Sequence, residues 1–327
     1  MEIQQTIIER ALVDAATVAG LAPSIHNTQP WRWRIHGTTA DLFAEPARQL
    51  RIGDFDRRLL ITSCGAALHH AGIALAARGY AAQVDRTPDP ANEEHLARVT
   101  VTGKVAVTTA AMRLLQTAKV RQTDRRPLLD MPLPPDVIDA LRHAAAPFQI
   151  GLAALDRGQT IELAAATARA QRDETQDITA LVELSAWSGV HRPGGAGVPD
   201  ENIPDRPVQT TVPARDFGHV GTLPVSAGHD NAATYAILYG LEDVPAAWIR
   251  AGEALSALWL TAIERDVAVL PMSAAVESPA TRLELRRILS GIGYPYLALR
   301  LGVADPDVPP PPRTPRLPAA STIDVVD

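Results

Sequence analysis

The chain has 327 residues, 46% of them hydrophobic, which is enough apolar material for one large domain or two ordinary ones. Its formal net charge is −6 and it has no dense run of Lys and Arg, so we expect no nucleic-acid partner. Its one cysteine excludes an internal disulfide framework, and no leader-like segment or run of about 18 apolar residues occurs, so we expect a cytoplasmic protein without a membrane-spanning segment.

The first part of the chain predicts a complete α+β unit. A helix over Glu9–Ala19 places its apolar residues on one face. Trp31–His36 alternates apolar and polar residues, as expected for a strand with one buried face, so its two tryptophans are predicted core residues. An apolar helix over Leu59–Arg78 and a strand over Leu96–Gly103 complete the unit.

A second unit is predicted after residue 118. Its elements are a helix that contains Val137, Ile138 and Leu141, a polar helix over Thr160–Trp187, a strand over Ala233–Gly240, a helix over Trp248–Arg265, a helix over Pro279–Leu289 and a strand over Tyr296–Gly302. At one constant offset, Gly65, Ala67, Leu68 and Arg78 match Gly252, Ala254, Leu255 and Arg265. Our hypothesis is therefore an internal duplication, with an N-terminal half over 1–118 and a C-terminal half over 119–327.

A polar turn, APSIHNTQPW over Ala22–Trp31, joins the first helix to the first strand. By itself it could be a hydrogen-bonded turn and nothing more. Three further motifs accompany it: RQTDRRP over Arg121–Pro127, LPMS over Leu270–Ser273, and RLP over Arg316–Pro318 in a proline-rich tail. Together they resemble the nitroreductase superfamily, whose flavin loop has the signature A-P-S-x-x-N-x-Q-P-W. The resemblance is closest to the double-length, Acg-like branch.

This resemblance implies an α+β, nitroreductase-like fold in which two tandem halves form an intramolecular pseudo-dimer, and it implies FMN as cofactor. FMN requires guanidinium donors for its phosphate, polar partners for its ribityl chain and an apolar slot for its ring. The implied cofactor-binding residues are Pro23, Ser24, Ile25 and Asn27 against the ring and ribityl chain, Arg121, Gln122, Thr123 and Arg125 at the phosphate and pyrimidine edge, Pro271, Met272 and Ser273 on the N5 side, and Arg316 at the phosphate.

Two features leave alternatives open. The lysine that the family usually carries two residues before the tail arginine is Thr314 here, and Arg313 is the candidate to replace its charge. Arg125 and Arg126 could instead form a solvated turn, as paired charges often do. No metal site is expected, because His69 and His70 stand in an apolar helix without a second cluster of ligands.

The motifs are divided unequally between the halves. The flavin loop occurs only in the N-terminal half, whereas the arginine motifs occur only in the C-terminal half. In the family dimer, different subunits contribute these two parts to one site. The resemblance therefore implies one complete site per chain, at the seam between the halves, and a monomer that can hold FMN.

An insertion over Ser188–Pro207 is rich in glycine and proline and is too long for a simple connector. We expect a lid over the flavin, and a plain surface connector is the alternative. The resemblance implies an oxidoreductase in which NAD(P)H reduces FMN and a small-molecule acceptor, such as a nitroaromatic or quinone, reoxidises it. The alternative function is a flavin-sequestering protein with little or no turnover, because a closed lid would exclude both substrates.

Overall fold

The computed structural model describes residues 2–189, 194–225 and 229–326, and of residues 2–4 only the backbone. The N-terminal half contains α1 (Glu2–Ala19), β1 (Trp31–His36), β2 (Thr39–Ala44), α2 (Arg58–Ala77), β3 (Tyr80–Arg86), β4 (His95–Lys104) and α3 (Thr109–Val120). The predicted helices and strands of this half are present. Sequence analysis missed β2, β3 and α3.

The C-terminal half contains α4 (Pro135–Ala145), β5 (Gly151–Ala154), α5 (Arg157–Gln176), α6 (Ile178–Ala186), β6 (Thr234–Gly240), α7 (Pro245–Ile263), β7 (Val267–Met272), α8 (Ala274–Glu277), α9 (Pro279–Ile288), β8 (Tyr294–Val303) and β9 (Ile323–Val325). The single polar helix predicted over Thr160–Trp187 is wrong: it is two helices. Asp177 separates them, because its side chain accepts hydrogen bonds from the backbone of Thr179 and Ala180 and so caps α6.

The strands form two sheets with a repeated topology. The first has the order β3-β4-β2-β1-β9, and the second, read from its other edge, has the order β7-β8-β6-β5. Neighbouring strands are antiparallel except β9, which runs parallel to β1. The first four strands of each sheet thus follow the same order, which is consistent with the internal duplication. The tail, which we assigned to the C-terminal half, ends as the fifth strand of the N-terminal sheet.

Helices α2 and α7 pack against each other and join the two cores. Ile249 and Leu260 of α7 belong to the hydrophobic core of the N-terminal half, while Leu59 of α2 belongs to that of the C-terminal half. Trp31 and Trp33 are buried in the first core, which confirms their predicted place. Among the described residues, α2 is long and apolar enough to cross a membrane, but 83% of the stretch is buried inside the protein, as in a core helix.

The crossing of α2 and α7 depends on two glycines related by the repeat offset. A Cβ added to Gly65 would lie 2.1 Å from the carbonyl oxygen of Ile249, and one added to Gly252 would lie 1.9 Å from that of Thr62. The two helix backbones are therefore in contact, and no larger residue fits at either position.

We expect Gly65→Ala and Gly252→Ala each to lower the free energy of unfolding by about 1–3 kcal/mol, because the added methyl group pushes the helices apart. Gly72→Ala is the matched control: it lies in α2, where an added Cβ meets nothing within 4 Å. It should raise stability by about 0.5–1 kcal/mol, the usual gain of Ala over Gly inside a helix. Urea denaturation measures all three variants. Equal effects at positions 65 and 72 would contradict the close crossing.

Candidate functional site

A cavity of about 620 Å³ lies where the two halves meet. Its wall includes the turn after α1, the start of α2, the segment after α3, parts of α7 and β7, and the tail. All of the residues that the family resemblance implied contribute to this wall: Pro23, Ser24, Ile25, Asn27, Arg121, Gln122, Thr123, Arg125, Pro271, Met272, Ser273, Arg313 and Arg316. The volume is within the range of roughly 300–1,000 Å³ that is common for small-molecule sites.

The polar turn after α1 has a strained backbone. His26, Asn27 and Gln29 adopt φ values of 42°, 54° and 49°, in the left-handed region that non-glycine residues seldom occupy. The oxygen of the Ser24 side chain accepts a hydrogen bond from the Gln29 backbone at 3.0 Å, and the Ser63 hydroxyl oxygen accepts one from the Ile25 backbone at 3.1 Å. Such strain persists only where the surroundings impose it, and it is concentrated at functional sites.

Two arginines lie together at Leu21, the residue that directly precedes this turn. Arg121, from the segment after α3, and Arg316, from the tail, donate hydrogen bonds to the same Leu21 carbonyl oxygen, at 3.2 and 3.3 Å. Arg316 also donates to the backbone oxygens of Thr314 and Pro315. Neither arginine forms an ion pair with any residue that the structure describes. The pair is a concentration of positive charge without a counter-ion.

Burial makes this charge costly. Desolvation lowers the pKa of Arg316 to about 10. Desolvation, together with the charge of Arg316, lowers the pKa of Arg121 well below its ordinary value. The Nε atoms of both side chains lack a hydrogen-bond partner among the described residues, and the Arg121 guanidinium lies 4.6 Å from the centre of the Trp259 ring. An anion bound here would relieve the repulsion and accept the free donors.

The other arginines of the motifs have different surroundings. Arg125 lines the cavity, donates to the Asn202 carbonyl oxygen at 3.2 Å and lies over the Phe217 ring, and burial lowers its pKa to about 10. Arg126 points away and pairs with Asp124 at 2.6 Å in a buried position. The paired charges of this motif therefore do not form a solvated turn. Arg313 is exposed at the cavity wall.

Comparison with known proteins identifies the family of the chain. No family model matches the chain. "Putative NAD(P)H nitroreductase Rv3131" from Mycobacterium tuberculosis H37Rv is 41% identical over 309 residues, which cover 92% of this chain and 87% of that protein. "Putative NAD(P)H nitroreductase acg" from the same strain is 30% identical over 310 residues, which cover 93% and 92% of the two chains.

The chain belongs to the nitroreductase family. Within it, the chain is a member of the double-length, Acg-like branch. Among solved structures, an FMN-bound nitroreductase from Bacteroides fragilis matches 65% of this chain and 98% of its own, with a TM-score of 0.42 and 15% identity. The FMN-dependent nitroreductase NfnB from Mycobacterium smegmatis, solved with NADPH, matches 65% and 97%, with a TM-score of 0.39 and 14% identity.

An ion-pair network beside the cavity was not predicted from the sequence. Arg215 donates to both carboxylate oxygens of Glu277, at 2.6 and 2.8 Å, and to Glu174 at 2.5 Å. It also donates to the Ser273 hydroxyl at 3.3 Å. Burial opposes its charge, but the two carboxylates outweigh this effect and raise the pKa of Arg215. Arg215 lies in an irregular segment without a motif, so the sequence held no signal for it.

The histidine of the polar turn is neutral at physiological pH. Burial, and next the charge of Arg215, lower the pKa of His26 to about 3. Its ring meets the Phe217 ring edge-on, with 6.1 Å between their centres.

His69 lies in α2 with its Nδ1 2.8 Å from the Ser256 hydroxyl, and burial lowers its pKa to about 4. Within the described residues, no group of three or more His, Cys, Asp or Glu side chains could hold a metal ion.

The described part of the predicted insertion has two roles. Residues 194–197, which we call the glycine clasp, touch the polar turn: Asn27 Nδ2 donates to the carbonyl oxygens of Gly195, Gly197 and Pro315 at 2.9–3.1 Å. Gln29 Nε2 donates to Gly195, and Gln29 Oε1 accepts from the Leu317 backbone. The amide of Asn27, which the resemblance assigned to the cofactor, thus holds the clasp and the tail together.

Further along the insertion, Asn202 holds the tail from a second side. Its Nδ2 donates to the Pro312 carbonyl oxygen at 2.6 Å, and its Oδ1 accepts from the Thr314 hydroxyl at 3.1 Å. The wall of the cavity continues beyond the predicted boundary at Pro207, because Val208 and residues 213–220 also line it. We call residues 204–220 the covering segment. Residues 190–193 of the predicted lid lie outside the described residues.

Two neighbouring glycines of the glycine clasp allow a matched test of its contact with the tail. Gly194 and Gly195 have nearly the same backbone, with φ of 90° and 89°, but a Cβ on Gly195 would lie 2.3 Å from the Arg316 carbonyl oxygen, whereas one on Gly194 meets only Leu317 Cδ2 at 3.9 Å. Gly195→Ala should therefore lower the free energy of unfolding by about 1–3 kcal/mol more than Gly194→Ala, since both share the φ penalty and one adds a clash.

Urea denaturation gives the difference in free energy, and hydrogen exchange at the Leu317 amide reports whether the tail has loosened. Equal losses in the two variants, with unchanged exchange, would show that the clasp does not hold the tail.

Proposed function

We propose that this chain binds one FMN in the cavity and acts as an NAD(P)H-dependent oxidoreductase on a small-molecule acceptor such as a nitroaromatic or a quinone. The observation that carries the proposal is the pair formed by Arg121, which is buried, and Arg316, which is largely buried, because the pair has no carboxylate partner in the described residues. A phosphate dianion is the ligand that two adjacent guanidinium groups bind best. The family relatives named above as NAD(P)H nitroreductases support the class of reaction.

The chain's own residues would have distinct tasks in such a site. Arg121 and Arg316 would hold the phosphate, while Gln122 and Thr123 supply polar groups beside it. The apolar part of the wall, from Ile25, Leu255, Trp259, Leu270 and Leu297, would pack against the ring and exclude water from it. When bound, FMN would accept a hydride and would then donate two electrons. No protein nucleophile is required, so the protein's contribution is binding, orientation and access.

A second function, flavin sequestration, is favoured by the ion pairs of the covering segment. Arg215 pairs with Glu277 of α8 and with Glu174 of α5, so the segment is tied to two helices that contribute to the cavity wall. A segment held in this way would restrict the entry of nicotinamide and acceptor.

In either function we propose a monomer that holds FMN, since both parts of the site belong to one chain. We also propose a cytoplasmic location.

We expect Arg121→Ala and Arg316→Ala each to weaken FMN binding by about 1.5–3 kcal/mol, roughly 10- to 150-fold in the dissociation constant, because each removes a charge-assisted contact to phosphate. Arg113→Ala is the control, since its side chain is 65% exposed and, among the described residues, forms an ion pair with Glu264 alone. That variant should change binding by about 0–1 kcal/mol. Fluorescence titration of the apoprotein with FMN measures the constants. The same affinity in all three variants would reject the phosphate assignment.

The two functions are separated by stopped-flow spectroscopy of the purified protein. We expect one FMN per chain, a monomer by light scattering, and rapid bleaching of the visible flavin absorbance when NADPH or NADH is added under nitrogen. Bleaching by dithionite but not by excess NADPH or NADH would favour sequestration. Two FMN per chain, or none after reconstitution, would contradict the single site.

A further inference from the structure

The mouth of the cavity carries a second set of cations, separate from the buried arginine pair. Lys119 at the end of α3, Arg206 in the covering segment and Arg313 in the tail all line the cavity and are exposed to solvent. None of them forms an ion pair with a described residue. We call these three residues the rim cations. Among the described residues of the wall, the only carboxylate is that of Asp216, although the whole chain has a net charge of −6.

The size of the cavity limits what can reach its interior. A volume of about 620 Å³ is typical for one ligand of drug size. With FMN inside, as proposed above, a dinucleotide can insert its nicotinamide ring, but its pyrophosphate and adenosine must remain at the mouth. The rim cations are the charged groups that meet an anion there.

We propose that the rim cations bind the phosphates of the hydride donor and that they favour NADPH over NADH. This inference rests on the proposed function of the same cavity. NADPH carries one more phosphate than NADH, and that phosphate adds close to two negative charges at neutral pH. Exposed lysine and arginine side chains attract such a group over a Debye length of about 10 Å at 0.1 M salt.

The rim cations differ from the buried pair in accessibility. Arg121 and Arg316 converge on the Leu21 carbonyl oxygen inside the cavity, where a resident cofactor would cover them. Among the described residues, the Arg206 side chain donates one hydrogen bond, to the Val225 carbonyl oxygen, and the residue is exposed to solvent. The rim can thus exchange a soluble ligand in each turnover while the inner pair retains FMN. In this proposal Arg313 binds the hydride donor, whereas the family resemblance assigned it to the phosphate of FMN.

The test measures binding without chemistry. FMN-loaded wild-type protein and the variant Lys119→Gln/Arg206→Gln/Arg313→Gln are titrated calorimetrically with adenosine 2′,5′-bisphosphate and with adenosine 5′-monophosphate. The wild type should bind the bisphosphate at least about tenfold more tightly than the monophosphate, and the triple variant should lose this preference. Each single variant should weaken bisphosphate binding about 2- to 5-fold, the usual range for an exposed ion pair. Arg157→Gln, an exposed arginine outside the cavity, is the control and should change nothing.

Stopped-flow reduction then compares how efficiently NADPH and NADH reduce the flavin. The ratio of the two efficiencies should fall at least about tenfold in the triple variant, and this fall should be smaller when it is measured at high salt. An unchanged ratio and unchanged bisphosphate binding would overturn the proposal while leaving the oxidoreductase function intact. Bisphosphate binding that depends on the rim, in a protein that neither donor reduces, would support the rim and reject the reductase. Equal binding of inorganic phosphate, or loss of FMN from Arg313→Gln alone, would count against the assignment.

Discussion

The close crossing of α2 and α7 is the contact on which the rest of the molecule depends. Gly65 and Gly252 let the two helix backbones touch, and side chains of each helix then complete the hydrophobic core of the other half. The polar turn contacts α2, and residues of both α2 and α7 line the cavity, so the site is built on this pair of helices. The candidate site lies at the seam between two halves whose sheets share the same strand order.

The charged residues that line the cavity are mostly positive, whereas the chain as a whole has a negative net charge. The protein is acidic overall, yet seven of the cavity-lining residues are arginine or lysine: Lys119, Arg121, Arg125, Arg206, Arg215, Arg313 and Arg316. Arg215 is neutralised by Glu174 and Glu277, so its role is to hold the covering segment. Arg121 and Arg316 have no carboxylate partner among the described residues and are destabilising by themselves, because burial of an unpaired charge costs free energy. An anionic ligand gives this arrangement a physical reason.

The tail and the insertion act as one unit at the site. Arg316 reaches the cavity only because the tail returns to the N-terminal sheet, where β9 pairs with β1. Asn27 and Asn202 then hold the tail against the glycine clasp and the covering segment. Asn27 and Gln29, two of the residues with left-handed φ values in the polar turn, make hydrogen bonds to the clasp and to the tail, so the backbone strain coincides with the contacts that join these segments.

The amino-acid sequence by itself determined the features that have a local signal. Periodicity located β1, α2 and α7 to within a few residues, and the motifs named every residue of the implied set, which the structure places on one cavity wall. Periodicity failed at Asp177, where a single side-chain cap divides one polar helix into two. The short strands β5 and β9 were also missed, because so few residues show no clear period.

Only the tertiary structure decided which of these residues meet. Asn27 and Pro315 are hydrogen-bonded although most of the chain separates them, and Arg121 and Arg316 converge on one carbonyl oxygen from different segments. The partners of Arg215 and the extent of the covering segment likewise come from irregular chain without a motif. Sequence patterns report local conformation and which face is buried, whereas the pairing of distant polar groups depends on how two cores pack across a seam.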